Sequence, residues 1–91
     1  MSTEVTRRES DYEITVDGEH AGLAAFLEKD GATVFTHTEI DDAFGGRGLG
    51  GQLARAALDD VRARGGKVVP RCPFIKSWID KHPDYHDLVA T

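Results

Sequence analysis

The stretch from Ala32 to Gly66 constrains this chain more than any other. A β-branched run, ATVFTHTEI (Ala32–Ile40), reads as a strand. It feeds a loop in which five of the seven residues from Gly45 to Gly51 are glycine. An amphipathic segment follows at once. Leu53, Ala54, Ala57, Leu58 and Val61 recur at helical spacing, and Gln52, Arg55, Asp59 and Arg62 occupy the opposite side. Arg55 with Asp59 and Asp60 with Arg64 are opposite charges four residues apart, which supports a helix over about Arg47–Arg64. Gly65-Gly66 supplies a left-handed stop, and KVVPRC (Lys67–Cys72) reads as a short strand. A strand, a helical crossover and a second strand make a right-handed unit whose two strands are parallel neighbours. Pro70 has no N–H for a ladder, so the second strand is at an edge, bulged or splayed there.

The residues before this unit read as a meander. Tyr12, Ile14 and Val16 alternate with polar residues over Asp11–Asp17, the period of a half-buried strand. Asp17-Gly18 is a hairpin signal. His20–Glu28 follows, with Gly22, Ala24, Phe26 and Glu28 on one face. Leu23, Phe26 and Leu27 also fit a helix, but turn signals on both sides select a strand, the second signal being Asp30-Gly31. After the crossover, Pro73 suits the first turn of a further helix. Phe74 with Trp78 and Ile75 with Ile79 give that helix an apolar side. His82-Pro83 ends it, and Tyr85–Val89 forms a last turn. The expected fold class is therefore a mixed α/β sheet in the order β-β-β-α-β-α, an antiparallel meander plus a parallel crossover.

At 91 residues the chain has room for one small domain. We expect it over residues 10–91, behind an unordered lead-in, Met1–Glu9, in which Arg7 and Arg8 are solvated. A formal charge of -5 argues against a nucleic-acid partner, which favours a basic surplus. No apolar run reaches the length of a membrane span, and the N-terminus lacks the apolar core of a secretory signal. The single cysteine, Cys72, excludes an internal disulfide and suits a reducing, cytoplasmic setting.

Glycines between a strand and a helix bring bare backbone to a surface where the first helical N–H groups are unpaired and the dipole is positive. That combination suits an anion, phosphate above all. A tight turn alone is the competing reading, but five glycines give up more conformational entropy than a turn requires. A nucleotide P-loop needs Lys-Ser/Thr after its last glycine, and Gln52-Leu53 stand there instead. Gly46, Gly48 and Gly51 satisfy G-x-G-x-x-G, yet no acidic residue follows in Lys67–Arg71 to hold a dinucleotide ribose.

The segments HTEIDDAFGGRGLGGQL and VVPRCPFIKSWIDKHPDY resemble the small, single-domain branch of the Gcn5-related N-acetyltransferases, and the resemblance spans about Tyr12 to Val89. In that superfamily the loop reads [Arg/Gln]-x-x-Gly-x-[Gly/Ala]. Gly48 and Gly50 match its glycines, whereas Gly45 stands where Arg or Gln is usual. The resemblance implies an acetyl-CoA cosubstrate, with contacts from Ile40, Gly45, Gly46, Arg47, Gly48, Leu49, Gly50 and Gly51. It places the pantetheine arm between the two parallel strands where they diverge, and it implies a backbone N–H of the Lys67–Cys72 strand on the thioester oxygen. An amine, such as a peptide or protein amine, would be the acceptor in an open site.

His37 and Cys72 lie toward the same ends of the parallel strands, and the resemblance implies catalytic roles for both. Cys72 would relay the acetyl group or His37 would serve as base for direct transfer; Glu39 is a second candidate base. Each also has a plain structural reading, a buried small thiol and a hydrogen-bonded strand histidine. His82 and His86 share a helical spacing that suits a metal, but Pro83 interrupts it and no third ligand is evident, so no metal is expected. Trp78 and Phe74 read as core. Lys76 reads as a solvated lysine with a CoA phosphate within its reach. Two functions follow: an acetyl-CoA-dependent N-acetyltransferase, or a CoA-binding module without turnover.

Overall fold

The computed structural model describes residues 2–90. Five strands run β1 (Thr3–Arg7), β2 (Asp11–Val16), β3 (Glu19–Lys29), β4 (Ala32–Ile40) and β5 (Lys67–Pro70). Two helices, α1 (Leu49–Ala63) and α2 (Pro73–Asp80), join them, with 3-10 turns at Asp42–Phe44 and Pro83–Leu88. The strands lie in one sheet in chain order. The first four are antiparallel, and β4 with β5 is parallel. This is the mixed α/β class that the patterning predicts, with one strand added.

The added strand is β1. Arg7 and Arg8 stand in a stretch expected to be an unordered lead-in, yet Thr3–Arg7 pairs in full register with β2. Its reason is long-range. Val5 packs on the core, and Arg7 donates to the Tyr12 hydroxyl at 2.8 Å and to Glu28 at 2.7 Å. The Arg7 guanidinium also lies 4.6 Å over the Phe26 ring, a cation–π contact. Arg8 chelates Asp11 through two hydrogen bonds of 2.6 and 2.9 Å. Met1 and Thr91, the outer ends of the two expected stretches, lie outside the described residues.

Two of the three hairpins close where the turn signals stand. Asp17 and Gly18 have φ of 50° and 84°, and Asp30 and Gly31 have 53° and 80°. Two successive positive φ values define the type I′ turn whose twist matches the strands. α1 stops at Gly65 (φ 73°), and the Gly66 N–H returns to the Val61 carbonyl at 3.0 Å, closing the helix end.

One core fills the face of the sheet that carries both helices. Tyr12, Ile14, Phe26 and Phe35 from the strands meet Leu49, Leu53, Ala57, Leu58 and Val61 from α1 and Ile75, Trp78 and Ile79 from α2. The rings of Tyr12, Phe26 and Phe35 stand 5.3 to 6.2 Å apart. Leu27 and His37, on the opposite face, are exposed.

Two details differ from the sequence reading. α1 begins at Leu49 rather than Arg47, because Gly48 takes a left-handed conformation and serves as its N-cap. The last strand ends at Pro70 rather than Cys72, which instead caps α2. The missing N–H of Pro70 ends the ladder where the sequence rule places it.

Candidate functional site

β4 outruns its parallel partner. The last pairing is Phe35 with Pro70, while β4 continues to Ile40. Past Pro70 the chain turns away into α2, so among the described residues the edge of β4 opposite β3 has no strand beside it from Thr36 to Ile40. A notch opens there at the carboxyl ends of two parallel strands, the customary ligand position in such sheets. No enclosed pocket is found among the described residues.

The glycine loop rims this notch. Gly46 and Gly48 have φ of 78° and 73°, values that residues with a side chain rarely adopt. A Cβ at either would meet nothing within 4 Å, so these glycines answer to backbone conformation and not to crowding. The first bond of the α1 ladder runs from Gln52 N–H to the Gly48 carbonyl at 3.3 Å. Leu49, Gly50 and Gly51 therefore have no intrahelical acceptor, and no side chain caps this end. Gly45 differs from its neighbours: its N–H is spent on the Asp42 carbonyl at 3.2 Å, which takes it out of the expected donor set. Leu49 is buried in the core and Ile40 packs against it, so each contributes backbone rather than side chain to the rim. Arg47 lies 5.3 Å over the Phe44 ring, which braces the loop.

α2 closes the other side. Phe74 is 41% exposed, and its ring edge stands 2.9 Å from where a Gly50 Cβ would be. Gly50 thus lets α2 approach the first turn of α1. Trp78 is buried, stacked on His82 at 3.8 Å, with the Arg55 guanidinium 5.3 Å away. Lys76 faces Asp80 at 3.8 Å on the exposed side of α2.

The structure does not bring His37 and Cys72 together. The pairing of β3 with β4 shifts by one residue between Ala25/His37 and Phe26/Phe35, leaving Thr36 as a bulge. A bulge reverses the facing of every residue beyond it. Regular alternation would set His37 and Glu39 on the same face as Phe35. The bulge sends them to the bare face and turns Thr38 and Ile40 toward the helices. There the Thr38 hydroxyl meets the Cys72 sulfur at 3.2 Å, and Cys72 is 3% exposed. His37 instead pairs with Glu39 at 3.2 Å, with both side chains over half exposed.

At the end of this strand the backbone N–H groups are missing or already spent. Pro70 has no N–H, Arg71 donates to Val69 at 3.1 Å and Cys72 to the Phe35 carbonyl at 2.9 Å. Two residues that the sequence reading left unassigned belong to the site. Thr38 is one. Gly22 is the other: a Cβ there would lie 2.5 Å from the Glu39 carbonyl and 2.6 Å from the Ile40 Cδ1. A glycine inside a strand signals such a close approach; nothing local signals Thr38. The His82 ring is committed to the Trp78 carbonyl at 2.6 Å, and no cluster of metal-binding side chains occurs among the described residues.

These elements define a small α/β domain whose glycine loop stands at the end of a parallel strand pair. The chain belongs to the GCN5-related N-acetyltransferase family, whose family model matches residues 11–88. The human protein NATD1 is similar to it, at 32% identity over 85 residues, which cover 91% of this chain and 75% of that one. The NATD1 protein of mouse is 30% identical over 85 residues and that of chicken 29%, with 91% of this chain and 77% of each covered. A solution NMR structure of a GCN5-like protein from Staphylococcus aureus shares the fold with a TM-score of 0.73. Its sequence is 22% identical, and the match covers 96% of this chain and 87% of that one. Proteins of this fold generally use acetyl-CoA.

Proposed function

We propose that the chain is an acetyl-CoA-dependent N-acetyltransferase acting on an amine acceptor in an open site, in a reducing, cytoplasmic setting. One observation carries this reading: the left-handed glycine loop follows β4 at the end where β5 no longer pairs with it. The residues present fit the cosubstrate. Leu49, Gly50 and Gly51 offer N–H groups at a positive helix end to a pyrophosphate. Gly46 and Gly48 keep side chains from intervening, and Arg47 adds a charge. The free edge of β4 offers backbone groups to an amide-rich arm.

Bound acetyl-CoA supplies an activated acyl carbon. His37, backed by Glu39, stands on the bare face of the sheet, where an incoming amine has access, and takes the proton that the amine releases. Cys72 stands on the other face, with Thr38. Direct transfer with His37 as base and a relay through Cys72 are therefore alternative routes.

A second reading, a CoA-binding module without turnover, is favoured by Gly45 standing where the family has Arg or Gln. Calorimetric titration with acetyl-CoA, beside Gly48→Val, tests the loop. A β-branched residue at φ 73° cannot hold this loop, so binding is expected to fall at least tenfold while the circular dichroism spectrum is kept. Equal affinity would remove the loop assignment. Free CoA release on adding a lysine peptide then separates enzyme from module: release supports transfer, and binding without release supports the module.

A further inference from the structure

We propose that Thr38 is a positioning residue for the Cys72 thiol, which assigns the sulfur a partner other than His37. This rests on the function proposed above only for its catalytic meaning; the contact itself does not depend on it. Two anchors hold Cys72. Its backbone N–H is fixed on the Phe35 carbonyl at 2.9 Å, and its sulfur lies 3.2 Å from the Thr38 hydroxyl. Both anchors come from β4, one on each side of the Thr36 bulge. The bulge is what makes this possible, since it turns Thr38 to the helix face and His37 away.

A hydroxyl is both donor and acceptor, so Thr38 suits a thiol that changes protonation. It accepts from S–H and donates to sulfur once the proton has gone. Were Cys72 to take an acetyl group, the bond from the carbonyl carbon to the CoA sulfur would break as the bond to Sγ forms. The thiol proton would end on the leaving CoA sulfur. Throughout, Thr38 holds the Cys72 sulfur on the helix face of β4.

The chain has a single cysteine, so its infrared spectrum holds one S–H stretching band, which Cys72→Ser removes for assignment. Thr38→Val keeps the side-chain volume and deletes the hydroxyl; Thr38→Ser keeps the hydroxyl. The band is expected to move in Thr38→Val and to return in Thr38→Ser. Iodoacetamide alkylation, followed by intact mass, is expected to change about tenfold in Thr38→Val and to return in Thr38→Ser. A band unchanged across all three proteins would overturn the proposal. Should Thr38→Val fail to fold, Thr38→Ala gives the same comparison against Thr38→Ser. Acetyl-CoA titration of the same samples separates the two claims. A moved band without binding keeps the Thr38 role in holding the thiol and removes the function proposed above; binding with an unmoved band does the reverse.

Discussion

Tyr12 shows how one side chain ties distant parts together. Its hydroxyl donates to Asp60 of α1 at 2.6 Å and accepts from Arg7 of β1 at 2.8 Å. Burial first, and then the bond to Asp60, push its pKa up from 10.0 to about 12. The fold thus favours the neutral phenol. The stability this contributes is complete below about pH 10 and is lost as pH rises through about 12, on the order of 2–3 kcal/mol. Urea denaturation through that window should show the loss, and Tyr12→Phe should abolish it. That variant should also be about 1–2 kcal/mol less stable at neutral pH, because Asp60 and Arg7 each lose a partner. For Asp60 itself burial opposes ionisation, but the bonds from Tyr12 and Arg64 prevail and hold its carboxyl below the usual range. Its contribution is therefore present at neutral pH and lost in acid. Gly45 allows an opposite kind of prediction. Its φ of -64° and ψ of 152° suit any residue, and a Cβ there would stand 3.4 Å from the Asp42 carbonyl. Gly45→Arg, which restores the family pattern, should change stability by less than about 0.5 kcal/mol. It should tighten acetyl-CoA binding roughly fivefold through a charge-assisted contact, as read by calorimetry.

At the scale of elements, β4 decides the site, and its behaviour was only half legible. Its existence and two of the hairpin turns follow from β-branched composition and Asp-Gly pairs. The bulge does not, because Thr36 sits in an unbroken β-branched run with nothing to mark an extra residue. Regular alternation past Phe35 would put His37 on the helix face, and nothing local marks Thr38. Gly22 shows how tightly the end of β4 is held against β3. The tip of Ile40 can move aside, but the Glu39 carbonyl at 2.5 Å from the added Cβ belongs to the backbone. Gly22→Ala is expected to cost about 2 kcal/mol or more by overpacking, measured as a lowered urea midpoint. The pair Arg55 and Asp59 makes a similar point. Spacing predicts a direct ion pair, whereas both reach the Tyr85 hydroxyl, at 3.3 and 2.7 Å. That joins α1 to the final turn; burial first, and then the bond to Asp59, raise the Tyr85 pKa against the opposing effect of Arg55.

For the molecule as a whole, the sheet is completed by the segment that local patterning treats as a tail. Removing residues 1–8 deletes β1, uncovers Val5's contact and frees Tyr12 and Glu28 from Arg7. The expected result is a loss of about 2–4 kcal/mol, followed by the fluorescence of the single tryptophan, Trp78, in urea. A truncation without effect would return this segment to the role of a tail. By itself the sequence determined the alternating strands, the type I′ hairpins, the apolar stripe of α1 with its glycine stop, and the glycine loop. Each of these is encoded by neighbours within a few residues, through periodicity or through φ values that few residue types accept. The tertiary structure alone decided that Thr3–Arg7 is a strand, that Thr36 bulges and that Cys72 faces Thr38. Those outcomes depend on partners far along the chain: Arg7 on Tyr12 and Glu28, the bulge on the register with Ala25 and Phe26, and Cys72 on where Pro70 ends the ladder.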